Sequence, residues 1–600
     1  MKYLGLLFLL IICLSLPSSA QAATYYSSAT GSGTTCSIGS PCDLQAGLDK
    51  LAAGDTLLVR SIGGTYNGKF TISTSGSSGS RITIQAYPSE WPLIDGFLST
   101  TLNGAINSST TTIVLTSGVG FPNGFVITFH DGTEGSEEQV MLGGKSGNTY
   151  SSCTRAWNGT TAVSHSNGAT IILGGNQFDV SGSFLTFKNL TITNTDPTRI
   201  QTPANSQNAP HLRGESFFNT GDNNQFINCV VSNMQDGIFN GPAASGPEIY
   251  GCLFYNNGYV AGGAYNGHGL YLIHEDGAAT ANVKENIIFN NSNHGIKGDS
   301  QNGSTINIFN EGNISFNTGA WTNGSSRNFN ILMSTNNGTA SGITVKDNFT
   351  FHPDGKNGTN LKLNMSGGSL SVTGNWIAHG IPVDIANSTP LTFTGNNVRG
   401  TNNSGGGNNT IILHIPAASP STTWNSNSYF NSITSGLGYY FDTGSSNLSF
   451  SQWKTNSGFD GSTTETLSAP GSNWTFARAN IYDANRANAI VYNWTGGTTA
   501  TVSVAGVFNN GDTIAIHVAE EGTFPAGTPT SSVVVSGGNI TVPMNGTSVV
   551  SQVGSDGSII VTPITMRPTF AAFVLYRTAQ VAVGSTVSGK ATLSGKAKIN

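Results

Sequence analysis

Short apolar runs alternating with polar positions recur along the chain, and few are long enough to form a helix. From Phe184 onward one unit repeats: an alternating strand, an Asn, two or three apolar residues, then a polar stop. The copies read FLTFKNLTI, NQFINCVVS, PEIYGCLFY, ANVKENIIF, TINIFNEGNISF, ITVKDNFTF, LSVTGNWIA, LTFTGNNVR and WNSNSYF. With the marker placed at Asn189, Asn228, Gly251, Asn286, Asn313, Asn348, Asn375, Asn396 and Asn427, the spacings are 39, 23, 35, 27, 35, 27, 21 and 31 residues. A fixed short unit with variable insertions is the mark of a solenoid whose insertions fall in loops. The period-two alternation makes the units strands, so equivalent residues stack about 4.8 Å apart on neighbouring parallel strands. A stacked Asn can bond its own turn and the turn above. Cys229 and Cys252 follow the marker on consecutive units and are expected to stack in the core as thiols, a disulfide there being strained.

Other segments depart from the unit. Residues 24–97 read as short strands plus one helical patch, with Leu44, Leu48 and Leu51 on one face. Residues 98–175, including TTTIVLTSGVGFP and GFVITFHDG, read as a small inserted β module. Beyond residue 470 the marker disappears, and AIVYNW, TIAIHV and FAAFVLYR predict an antiparallel β-sandwich. Lys2, the apolar run Leu4–Leu16 and Ala20-Gln21-Ala22 read as a secretory leader cleaved after Ala22. The expected division is a leader (1–22), a cap with the first coils (23–97), the insert (98–175), the main solenoid (176–469), the sandwich (470–578) and a tail (579–600). A secreted monomer with no membrane attachment after cleavage is expected.

Composition narrows the classes. Of 600 residues, 77 are Gly and 9% are charged, with a net charge of −6; an ordinary soluble domain has about 25% charged residues. That excludes a coiled coil and a nucleic-acid binder driven by Lys and Arg. A hydrophobic share of 37% excludes a disordered chain. Cys36 and Cys42, in TTCSIGSPCDL, are expected to form a disulfide in an exported protein. No Cys/His spacing matches a zinc site, and no metal ligands are assigned.

The stretch AAGDTLLVRSIGGTYNGKFTI…SRITIQAYPSEWPLIDG, together with the Asn units, resembles the right-handed parallel β-helix proteins of the pectate-lyase-like superfamily. The resemblance covers residues 24–97 and 176–440. The segment NIYDANRANAIVYNW…PTFAAFVLYR is similar to a sandwich that often follows such helices, and CTRAWNGTTAVSHSNGAT to a small module of phage tail and surface proteins. The resemblance implies an all-β chain: a right-handed parallel β-helix with an inserted β module and a C-terminal antiparallel sandwich. It implies an extracellular polysaccharide as partner and leaves Ca²⁺ open as a cofactor. Lyases, glycoside hydrolases, tailspikes and adhesins all share this fold, so the site must decide.

The segment NGHGLYLIHEDG…NHGIKGDS carries the candidate chemistry. Aligned second strands give one column of Asp236, His268 and His294, and a second column of Phe239, Tyr271, Lys297, Asn330, Lys362 and Asp384. Both are expected to line one outer surface. β-Elimination needs a base, a stabiliser for the enolate and a proton for the leaving oxygen. Lys297 is the expected base or enolate stabiliser, its pKa lowered by Lys362. Tyr271, His268 or His294 would supply the proton, and Lys362, Asn330, Asp236, Arg327 and Trp321 would hold substrate. The leading expectation is a lyase acting on a uronate-containing glycan. The bland alternatives are that the lysines are solvated sheet positions and the histidines turn residues.

Two other readings stand beside it. Asn194-Thr195-Asp196, Gly267-His268-Gly269 and Gly295-Ile296-Lys297 echo three of the four motifs of polygalacturonase-type hydrolases. The Asp-Asp pair is missing, Gly295 stands where Arg belongs, and Asp236 is the one well-placed carboxyl. A non-catalytic glycan-binding or adhesive role would instead use Tyr259, Tyr265, Trp321 and Trp376 as platforms.

Overall fold

The computed structural model describes residues 22–579 except 133–134, 201–212, 262–263, 301–302, 322–326, 336–338, 365–367, 387–389, 403–410, 416–421, 442–446, 555–560 and 562. The expected leader and tail therefore lie outside the described residues, apart from their inner ends. Three 12-stranded sheets run the length of a parallel β-helix. Each coil visits them in the same order, as in 185–188 on sheet 1, 191–193 on sheet 2 and 217–219 on sheet 3. Registers are parallel from coil to coil, with an antiparallel pair only where 448–449 closes sheet 3.

The corner between sheets 1 and 2 shows why so much Asn is needed. One residue there takes a positive φ: Asn189, Asn228, Gly251, Glu285, Gly312, Asp347, Gly374, Gly395 or Ser426. The next residue turns into the core. That inward column reads Leu190, Cys229, Cys252, Asn286, Asn313, Asn348, Asn375, Asn396 and Asn427. The marker alignment was thus one residue early in its first three copies. Asn189, Asn228 and Gly251 shape the turn, whereas the later Asn residues fill the core. From Asn286 to Asn396, each backbone N–H and each Nδ2 donates to Oδ1 of the next Asn at 2.8–3.2 Å. Asn427 ends the ladder on Thr463 and Asp460. In the two preceding coils Cys252 donates its N–H to Asn286, and Cys229 donates its N–H to the Cys252 sulfur. Both are buried free thiols, while Cys36 and Cys42 are disulfide-bonded.

The three sheets are buried differently. Sheet 1 alternates, with Val345, Val372 and Phe393 inward and Thr344, Ser371 and Thr392 outward. Sheet 2 strands are buried on both faces, as in Ile287–Phe289, Ile314–Phe316 and Phe349–Phe351. Their outer face is covered by the C-terminal antiparallel sheet (474–479, 486–492, 570–579, 513–518 and 531–534 in spatial order). Phe289, Phe316 and Phe351 form one cluster there with Ile490, Tyr492 and Phe570. The insert forms a four-stranded and a three-stranded antiparallel sheet between strand 93–95 of sheet 2 and strand 178–180 of sheet 3.

Helices plug both ends. Helix Leu44–Asp49, capped by Asp43, buries Leu44 and Leu48, with Leu51 beside them. Helix Phe450–Ser457, with a Ser449/Gln452 capping box, seats Phe450 and Trp453 over the last coils.

Asn348→Ala removes two acceptor contacts to Asn313 and two donor contacts of its own from a site closed to water. With roughly 1–3 kcal/mol lost per stranded buried group, a destabilisation of about 2–4 kcal/mol is expected. Urea unfolding checks this against the exposed Asn402→Ala, for which about 0.5 kcal/mol or less is expected.

Candidate functional site

Sheet 3 carries the candidate residues, and its geometry depends on three glycines. Gly237, Gly269 and Gly295 stack at a bend just before the strand. A Cβ on Gly237 would lie 2.1 Å from the Gly269 carbonyl oxygen, and one on Gly295 would lie 2.2 Å from Ser315 Oγ. No side chain fits, so glycine precedes each strand. Asp236, His268 and His294 stand three residues before Phe239, Tyr271 and Lys297, an odd separation that on a straight strand would put them on opposite faces. The bend brings the two columns together, and the His268 and Tyr271 rings lie 5.0 Å apart.

The outer column reads Asp179, Phe218, Phe239, Tyr271, Lys297, Leu332, Lys362 and Asp384. Asn330 is not in it. Leu332 holds that rung, and Asn330 is buried two residues earlier, bonding Asn360, Thr318 and the Phe351 carbonyl. Lys362 stands two rungs from Lys297 and pairs with Asp384 at 2.5 Å. Trp321 is also misplaced by the sequence reading: it is fully buried, donating to the Asn290 carbonyl beneath Arg199. Arg327 lies half-buried at the neighbouring corner, 3.3 Å from Asn317 Oδ1, where burial lowers its pKa to about 10. Of the aromatic platforms of the adhesive reading, Tyr259 is buried and Trp376 packs edge-on against Trp474.

Lys297 lacks the electrostatics of a base. Its ammonium lies 3.1 Å from Asp299, 3.3 Å from the Tyr271 hydroxyl and 4.3 Å from the centre of the Tyr271 ring. Burial works against the charge, but Tyr271 and Asp299 outweigh it and hold the pKa above the ordinary lysine value. The histidines are neutral. Nδ1 of His268 accepts the N–H of His294, and Nδ1 of His294 accepts the N–H of Phe329, so the proton sits on Nε2. The rings of His268, His294 and Phe329 stack at 5.0 and 4.8 Å. Burial, then Lys297, pushes His294 down to about 3, and burial and both neighbours push His268 lower still than usual. Each can donate a hydrogen bond from Nε2, but neither is a proton reservoir near neutrality.

The proton reservoir is a residue the sequence reading missed. Glu215 occupies the rung before Asp236, and the two buried carboxyls bond each other. Glu215 also accepts the Asp236 N–H at 3.1 Å and Gln235 Nε2 at 2.8 Å, while Asp236 accepts the His268 N–H. Burial and the Asp236 charge raise the Glu215 pKa far above the carboxylate range. Burial pushes Asp236 up to about 7, against the pull of His268, Glu215 and Lys297. Tyr259, from the hairpin 259–261/264–266, faces the pair. A signal for Glu215 was present: GESFFN aligns with QDGIFN. The two carboxyls come from neighbouring coils, 21 residues apart in sequence. Asp196 stands apart, near Arg213 and Lys69. Beside the pair, Phe218, Phe239 and Tyr271 make an aromatic ledge, with centroids 5.3 and 5.2 Å apart, that ends at Lys297. Among the described residues no group of three or more His, Cys, Asp and Glu could hold a metal ion.

No protein-family model matches the sequence, and no curated protein is similar to it. Among solved structures, the chain is similar to pectate lyase Pel9A (14% identity, TM-score 0.35, 71% of this chain and 78% of that one). It is similar to a rhamnogalacturonan lyase (14%, 0.39, 70% and 89%) and to XylC in complex with xylose (10%, 0.41, 92% and 100%). These are distant likenesses of fold.

A carboxyl held above its unfolded pKa of about 3.9 costs nothing at about pH 2–3, where both states bind the proton; the cost builds as the unfolded state ionises from about pH 4 and levels off once pH passes the folded value of about 7. Asp236→Asn keeps the acceptor for the His268 N–H and removes that cost. Its stability relative to wild type is expected to be near equal at about pH 2–3, to grow between about pH 4 and 7 and to level off above that in thermal or urea unfolding.

Proposed function

We propose that the protein is a polysaccharide-cleaving enzyme and that it hydrolyses glycosidic bonds, with Asp236 delivering the proton to the leaving oxygen. The observation that carries this reading is the Glu215–Asp236 pair beside an aromatic ledge. Buried carboxyls that share a proton keep one acid protonated near neutral pH, which is what departure of an alkoxide demands. Glu215 holds its own proton, and burial keeps Asp236 protonated up to about pH 7. Phe218, Phe239 and Tyr271 offer a sugar ring flat apolar surface. The neutral His268 and His294 donate hydrogen bonds from Nε2. Asp299, paired with Lys297, is the carboxylate that takes the proton of the attacking water; the phenol of Tyr271 senses both Asp236 and Asp299.

Elimination is the second reading, favoured by the Lys297 ammonium, which could face a uronate carboxylate. In that reading Lys297, held protonated, is the cation facing the carboxylate and not the base. A panel of neutral and uronate polysaccharides separates the outcomes. Hydrolysis releases reducing ends without the absorbance of an unsaturated sugar, elimination gives both, and a binding protein gives neither. Asp236→Asn is expected to lower kcat by about 10²–10⁴-fold while leaving affinity nearly unchanged. Wild-type turnover in that variant would exclude Asp236 as the acid.

A further inference from the structure

Two arginines behind the carboxyl pair are as deeply buried as any core residue: Arg199 is 1% exposed and Arg213 2%. Arg213, two residues before Glu215, donates to the carbonyls of Thr198 (3.1 Å), Asn194 (2.9 Å), Asn233 (2.7 Å), Asp196 and Val553 (3.0 Å). Arg199 donates to the carbonyls of Val553 (2.7 Å), Asn256 (3.1 Å) and Gly258 (2.7 Å) and to Asn233 Oδ1 (2.8 Å). These partners lie on the chain segments that carry the site: 213–215 leads to Glu215, 233–236 ends at Asp236, and 256–258 leads to Tyr259.

Val553 is the common element. Its carbonyl accepts from both guanidiniums, and its N–H donates to Asn233 Oδ1 at 2.8 Å. It belongs to a strap that leaves the C-terminal sandwich and crosses the corner between sheets 2 and 3. The strap is tied down by Val550 N–H to the Glu520 carbonyl, by Asn256 Nδ2 to the Val550 carbonyl and by Val561 N–H to the Trp321 carbonyl. Gly554 allows the approach. Its φ is +80°, and a Cβ there would lie 2.4 Å from Arg213 Nη2 and 2.7 Å from the Asp196 carbonyl oxygen. Burying two guanidiniums against carbonyls costs more than filling the same space with apolar side chains. That cost is understandable where the forks fix the relative position of three chain segments.

We propose that the Val553–Gly554 strap completes the candidate site from the C-terminal part of the chain, with Arg199 and Arg213 as positioning residues that fix the Glu215–Asp236 pair. The inference rests on the role given above to that pair, but its structural half can be read without activity. Deuterium exchange measured on the full chain compares wild type, Gly554→Val and Arg213→Lys. Peptides covering 213–237 and 256–269 are expected to exchange roughly tenfold faster or more in both variants, while ladder peptides covering 343–378 stay unchanged. Arg213→Lys serves where Gly554→Val fails to fold. With a cleavable polysaccharide, kcat is expected to fall with little change in KM. The alkaline limb of the pH profile should move to lower pH, because water reaching Asp236 favours its ionised form. Unchanged exchange over 213–237 would overturn the proposal, as would an unmoved pH limb alongside a loss of kcat. If no glycan is cleaved by wild type, the catalytic reading fails and the exchange result still decides whether the strap holds the pair.

Discussion

A β-helix must turn its backbone at every corner without leaving polar groups stranded against the core. Here the corner between sheets 1 and 2 meets that demand with a chain of carboxamides, each Asn satisfying the next coil's Asn through both its N–H and its Nδ2. Nδ2 also reaches back to a sheet 1 carbonyl, as Asn375 does to Val345. The ladder locks the corner in register, so coils of very different length stay superimposed and their insertions are forced outward. The ladder begins in the coil that leads to His294, and the coils of Glu215, Asp236 and His268 continue the same corner with Leu190, Cys229 and Cys252, the two cysteines linked to it by their backbone N–H groups.

On that frame the same neighbourhood moves two kinds of group in opposite directions. Burial penalises the charge on both Lys297 and Asp236. Lys297 has Asp299 and Tyr271 at ion-pair and hydrogen-bond distance, and its charge survives. At Asp236 burial outweighs the downward pull of the His268 N–H, Glu215 and Lys297, and the proton stays on to about pH 7. The side chain that looked like a base from its column neighbours is thus a cation, and the proton-handling group is the carboxyl one coil before the histidines. The two differ because Asp236 is buried outright, whereas Lys297 keeps part of its side chain exposed and has a carboxylate as partner.

The parts of this arrangement that repeat with the coil were legible in the sequence. The parallel β-helix and the order Tyr271, Lys297, Lys362, Asp384 in one column follow from the repeated unit, while the inserted module and the apolar face of Leu44 and Leu48 show as departures from it. What failed was register at single-residue precision. Asn189 and Asn228 were aligned with the ladder because a turn Asn and a core Asn look alike in sequence, although one supplies a positive φ and the other a carboxamide. Asn330 was placed in the outer column because the loop before it hides the bend, which puts Leu332 there instead. Glu215 was missed because Ser216 replaces the glycine of Gly237 and Gly269, erasing the visible motif while keeping the geometry. Trp321 read as a sugar platform, and only the fold shows Arg199 and Val561 closing over it.

The C-terminal sheet explains which surface was left for chemistry. Sheet 2 presents apolar residues on both faces, and its outer aromatics, Phe289, Phe316 and Phe351, would face water without Tyr492 and Phe570 against them. That face is therefore not available to a glycan. Sheet 1 offers outward Thr, Ser and charged side chains, with no buried acid beneath them in the coils where it is most regular. Among the described residues, sheet 3 combines half-buried rings, a fixed cation and a buried carboxyl pair within four coils. The strap that reaches Val553 across the corner then couples the two facts: the module that shields sheet 2 also closes the back of the pair on sheet 3. The hairpin that carries Tyr259 covers the pair from one side, and a second body reaching the corner from outside the coils is what holds the acid in a dry, defined place.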